Sequence, residues 1–149
     1  MKSCLLIIFL CCAFNGAKAI ESKIIYNIEN EIITNVDIKR EFKYLIALNN
    51  SIEELSKEKI LNISNESIIR EKVKKIEILK NFKEIKIDEN YYKILLGNIY
   101  SRLNLKSASE FEIYLKDYDL KISDIKTKIT IDALWNQLIF QKYNSKVTI

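Results

Sequence analysis

The chain has 149 residues, 24 Lys and Arg against 20 Asp and Glu, a formal net charge of +4, two glycines, three cysteines, and neither histidine nor proline. Without histidine, and with cysteine confined to positions 4, 11 and 12, the inventory excludes Ser-His-Asp and Cys-His catalysis and gives no basis for a zinc site. Gly16 and Gly97 alone cannot build a Gly-rich phosphate loop.

In chain order, the first nineteen residues read as a secretory signal. Lys2 is a short positive start, residues 4–14 are an uncharged apolar run, and Ala17-Lys18-Ala19 is a small-x-small cleavage site. The run is shorter than the roughly 20 residues a membrane span needs, which disfavours an uncleaved anchor. Leu10 before Cys11, and Cys11 before Cys12, are too large for a lipoprotein site. Cleavage is expected to leave residues 20–149 as one cysteine-free domain, stabilised by packing rather than disulfides. Losing Lys2 and Lys18 lowers the formal charge from +4 to +2. With lysines and glutamates interleaved along the chain, this speaks against nucleic acid as a partner. Asn-x-Ser triplets at Asn49, Asn62 and Asn65 are read as chance in an Asn-rich chain.

Residues 24–28, Ile-Ile-Tyr-Asn-Ile, are β-branched and aromatic, as strands prefer. A turn follows in which Asn30 can take positive φ, and Ile32-Ile33 begin a return strand. A lone hairpin is marginal in water, so it must pack on the helices that follow. Thr34 or Asn35 can cap the first helix, with Asp37 in its first turn and Val36, Phe42, Leu45, Ile46 and Leu48 as its apolar face. Asn49-Asn50 stops it. Residues 50–65 are the least regular stretch, with one helical turn suggested by Ser51-Ile52-Glu53-Glu54.

Ser64 or Asn65 is expected to open a second helix whose apolar stripe is Ile69, Val73, Ile76, Leu79 and Phe82. Arg70, Glu71, Lys74, Lys75 and Glu77 are expected on its other side. After a short extended link at residues 85–87, Asp88 caps a third helix with Tyr92, Leu95, Leu96, Ile99 and Leu103 inward. Ser107-Ala108-Ser109-Glu110 is a capping box for a short fourth helix faced by Phe111, Tyr114, Leu115 and Tyr118. Ser123 is expected to cap the fifth helix, with Ile125, Ile129, Ala133, Leu134, Trp135, Leu138, Ile139 and Phe140 on its apolar side. Val147-Thr148-Ile149 returns to β character. The predicted fold is mainly α: about five helices around a helical core, with a small N-terminal β-hairpin.

Carboxylates are plentiful, but pairs such as Glu53-Glu54 and Asp88-Glu89 sit at helix starts, where acidic residues have a structural reason to be. No catalytic residue, metal ligand or cofactor site is assigned. The aromatics concentrate in the second half and exceed one stripe per helix. Tyr91, Tyr114 and Tyr118 are the ones expected to be partly exposed, where tyrosine offers contact area with a polar tip.

Residues 24–38, Ile-Ile-Tyr-Asn-Ile-Glu-Asn-Glu-Ile-Ile-Thr-Asn-Val-Asp-Ile, resemble the opening of the SurA-type periplasmic chaperones: strand, Asn-containing turn, strand, helix start. Lys86-Ile87-Asp88 is similar to that family's later helix start. Residues 111–120 are similar to its short helix followed by x-Gly-Leu, with Asp119 in the glycine position. Residues 143–149 are similar to the boundary that closes its chaperone domain. Val36 stands for the family's serine and Glu31 for its glycine.

The resemblance implies a trigger-factor/SurA peptide-binding-like fold over residues 20–149 and a periplasmic location. It implies holdase-type chaperoning of unfolded outer-membrane proteins or other aromatic-rich segments, with no cofactor. The parvulin domains are absent from the chain, so isomerase activity is not expected. With Leu95 and Trp135, the three tyrosines Tyr91, Tyr114 and Tyr118 form the expected peptide-binding set. An open apolar patch where the family's final helix docks invites a homodimer. The alternatives are the non-catalytic part of a parvulin-type peptidyl-prolyl isomerase, or an envelope adaptor with one fixed partner.

Overall fold

The structure is a computed structural model that describes residues 21–144. The signal-like segment and the Val147-Thr148-Ile149 ending lie outside the described residues. The described part is mainly helical, as expected. Strands β1 (Ile24–Ile28) and β2 (Glu31–Thr34) precede α1 (Asn35–Leu48), a 3-10 turn (Asn50–Glu54), α2 (Lys57–Asn81), α3 (Glu89–Arg102), α4 (Ala108–Lys116) and α5 (Ile122–Tyr143).

The hairpin is antiparallel, with Ile28 opposite Glu31, Tyr26 opposite Ile33 and an irregularity between Ile24 and Tyr26. Its two-residue loop takes positive φ at Glu29 (50°) rather than at Asn30. Left-handed backbone at the first loop position suits the twist of a tight hairpin. Ile33 is fully buried and meets Ile38 of α1 and Ile68 of α2, with Ile28 and Ile69 packed around them. Glu31 is not a turn residue. Its carboxylate accepts from Lys72 Nζ at 2.9 Å and Lys75 Nζ at 2.6 Å, tying the hairpin to α2. Burial raises the pKa of Glu31, but the hydrogen bonds from Lys75 and Lys72 outweigh it and hold the group below the usual range.

Thr34 caps α1 in a capping box. Its side chain accepts from the Asp37 N–H, and the Asp37 carboxylate accepts from the Thr34 N–H at 2.8 Å. Asp88 and Ser107 cap α3 and α4 as expected. For α5 the cap is Lys121 instead of Ser123, with the Asp124 carboxylate accepting the Lys121 N–H at 3.0 Å.

The largest correction concerns α2. It starts at Lys57 behind a Ser56 cap, well before Ser64. Ser64 is a buried interior residue whose hydroxyl donates back to the Ile60 carbonyl at 2.7 Å. Such back-bonding lets serine sit inside a helix where its propensity argues for a cap. The buried apolar residues of α2 are Ile60, Ile68 and Ile78. Val73 and Leu79, expected inward, are 47% and 51% exposed.

The principal core lies among α1, α3, α4 and α5. Phe111, Leu115 and Ile125 are fully buried there, with Ala47, Tyr92, Leu96, Leu120 and Ile129. A smaller cluster joins Ile78 to Ile131 and Leu134 of α5. On α5, Leu138 is buried, but Phe140 is 64% exposed. Helices α3 and α4 both end with a left-handed residue, Asn104 (φ 60°) and Asp119 (φ 53°). In each, the next N–H closes back on the helix: Leu105 to the Tyr100 carbonyl and Leu120 to the Leu115 carbonyl, both at 3.0 Å. These are Schellman endings. Asp119 therefore occupies the backbone conformation for which glycine is the usual choice.

Candidate functional site

An apolar concavity lies between the hairpin, α1 and the first turns of α2. Its volume is about 680 Å³. Ile25 and Tyr26 of β1 form one wall, Ile38 and Phe42 of α1 the floor, and Leu61 of α2 the far side. The early start of α2 creates this site, because only a helix beginning at Lys57 brings Leu61 opposite α1. Ile25, Tyr26 and Leu61 each remain more than a third exposed, so this is apolar surface left open rather than core.

The rim carries Lys39, Lys43 and Lys57 against a single Glu58. Lys43 donates to Asp119 at 2.7 Å and holds that carboxyl below its usual range. Lys39 and Lys57 make no ion pair among the described residues. Asn65 borders the same groove, and its buried Oδ1 has no donor.

The five residues expected to bind peptide are not brought together. Tyr91 and Leu95 line a second groove between α3 and α5, about 470 Å³ in volume, whose walls include Asn98, Arg102, Asp132 and Asn136. Tyr91 is 48% exposed there. Tyr114 and Tyr118 are half-buried on α4. Tyr114 donates its hydroxyl to the Ala47 carbonyl at 2.7 Å, and its ring lies 5.2 Å from that of Tyr118. Both pack on the principal core. Trp135 is half-buried with the Ile78 cluster. Sequence reasoning missed Ile25, Tyr26, Phe42 and Leu61 as a set, since they come from three elements with no shared motif. The signal that was present is the uncharged, apolar β1 strand in a two-stranded sheet, which has to leave part of its surface open.

A third feature is ionic. Glu41 of α1, only 2% exposed, pairs with Lys128 of α5 at 2.5 Å and accepts the Ser67 hydroxyl at 2.7 Å. Lys128 also pairs with Glu71 of α2, and its Nζ lies 4.5 Å over the Tyr44 ring. Burial lowers the pKa of Lys128, but Glu41 and Glu71 reverse this and carry it above its ordinary value. Burial pushes the Tyr44 hydroxyl up to about 12. Lys128 is thus held as an ammonium, unfit as a nucleophile or base at neutral pH, and the cluster works as a joint between α1, α2 and α5. Among the described residues no group of three His, Cys, Asp or Glu side chains is placed to hold a metal ion.

The chain matches no protein-family model, no curated protein and no solved structure. No helix among the described residues is long and apolar enough to cross a membrane.

Proposed function

We propose that this chain is a holdase-type chaperone domain of the cell envelope, with a trigger-factor/SurA-like peptide-binding architecture. It holds extended apolar segments of unfolded outer-membrane proteins without nucleotide or metal. The observation that carries the reading is the open groove of Ile25, Tyr26, Phe42 and Leu61. Its walls are two helices and a hairpin tied to α2, and its apolar side chains are bordered by lysine and asparagine. That combination suits sequence-tolerant binding of unfolded chain. The periplasmic location and the outer-membrane clients rest on the sequence resemblance and the signal-like first nineteen residues.

The test is aggregation of a urea-unfolded outer-membrane barrel diluted into buffer with the purified chain at severalfold molar excess. Light scattering should rise more slowly in its presence. Unchanged aggregation would leave a dedicated single partner as the better account.

A further inference from the structure

We infer that the groove selects for carboxylates flanking the apolar stretch of its occupant, which lies extended along β1. This rests on the peptide-holding reading above and specifies its ligand: an extended, β-prone apolar segment bordered by Asp or Glu. Three observations support it.

The rim is basic. Of its three lysines, Lys43 is ion-paired with Asp119, Lys39 acts on the same carboxylate only through its charge, and Lys57 makes no ion pair among the described residues. Three lysines against the single Glu58, beside exposed apolar side chains, make the rim net positive and attract negative charge to that location. Lys57 is also the first residue of α2, so the positive end of the helix dipole adds to its field.

The wall is a strand with one edge free. β1 pairs only with β2 in a two-stranded sheet, so its second edge offers backbone N–H and C=O groups that an extended chain can use. Ile25 and Tyr26 of that strand line the groove. Finally, the buried Asn65 Oδ1 has no donor. An acceptor left unpaired is costly, and turning the amide toward an occupant's N–H relieves that cost.

The experiment uses three fluorescein-labelled peptides with one common apolar, β-prone centre, flanked on both sides by Glu, by Gln or by Lys. Binding to the full chain is read by anisotropy at low and high salt. The Glu-flanked peptide should bind about fivefold more tightly than the Gln-flanked one, the worth of two exposed ion pairs, and the Lys-flanked one more weakly still. High salt should shrink the difference. In the Lys39→Glu/Lys57→Glu variant the order should reverse. Both lysines are on the surface, so the variant's unfolding midpoint should match that of the parent and separate selectivity from folding.

Equal affinity for all three peptides overturns the charge selection while leaving the groove reading intact. Failure of every peptide to bind overturns both. A stable dimer by sedimentation that excludes peptide, and becomes monomeric in the charge-reversal variant, overturns the inference in favour of a second copy as the occupant.

Discussion

Residues 57–65 and 70–81 of α2 meet the rest of the molecule in opposite ways. The first stretch borders an apolar groove open to solvent, with Lys57 on its rim. The second turns its charges toward its neighbours. Glu71 and Lys74 pair with Lys128 and Asp132 of α5, Glu77 with Lys142, and Lys72 and Lys75 with Glu31. Its apolar Val73 and Leu79 are left outside. The first stretch thus lines an open groove, while the second is held by paired charges together with the buried Ile78. The ionic seam fixes three helices in register, because each charge has a specific partner and few alternatives. At the groove, Lys43 pairs with Asp119, and the exposed Ile25, Tyr26 and Leu61 are the surface on which the proposed holding of another chain rests.

The largest effect should come from breaking the seam. Lys128→Met leaves Glu41 and Glu71 facing each other without a cation and should cost about 3–5 kcal/mol in urea unfolding, since a buried charge is stranded. Replacing all three groups by apolar residues of similar volume should restore most of that loss. If Lys128→Met is nearly silent, the seam does not organise α1, α2 and α5.

On the other side of the comparison, Leu61→Ser should cost only about 1–2 kcal/mol of folding stability, because Leu61 is 36% exposed. It should weaken capture of an apolar peptide about tenfold, the loss of one apolar contact area. A smaller effect is expected at the α3 terminus. Asn104→Ala keeps a β-carbon in left-handed backbone but removes the short polar side chain that makes asparagine tolerable there, and should cost about 1 kcal/mol, with no change in peptide binding.

The smallest is a pH effect on the seam. Glu31 has its folded pKa depressed, so its contribution is fully present above the unfolded value of 4.5 and is lost as pH falls through the lower folded value. Lys128 behaves oppositely. Its contribution is complete below 10.5 and is lost as pH rises through the higher folded value. Thermal melts should show stability falling at both extremes, and Glu31→Gln should make the acid limb shallower, with Glu77 and Asp119 still contributing to it, and leave the alkaline limb unchanged.

Much of the fold was legible in local chemistry. Thr34, Asp88 and Ser107 act as the caps their sequence contexts suggest, and the stripe from Tyr92 to Leu103 faces the core. These features depend on neighbours three or four residues away, within reach of a periodic reading. The facing of α2 was not legible. Its stripe of Ile69, Val73, Ile76 and Leu79 has a good helical period, but Lys72 and Lys75 find Glu31, and Glu71 finds Lys128, from distant parts of the chain. Those long-range pairs orient the helix. Ser64 misled the reading of the helix start, because a serine that bonds back to Ile60 looks like a cap in one dimension. The site was the least legible part. Tyr114 and Tyr118 spend their ring faces and a hydroxyl on the core, while the open apolar surface is assembled from β1, α1 and α2.

The central claim is that the groove of Ile25, Tyr26, Phe42 and Leu61 holds unfolded chain. The most direct measurement places a photoreactive phenylalanine analogue at Leu61 in one variant and at Tyr91 in another, then irradiates each with an unfolded outer-membrane barrel. Strong cross-linking from Leu61 and little from Tyr91 is the expected result. Cross-linking from Tyr91 with none from Leu61 would move the site to the α3–α5 groove and contradict the account.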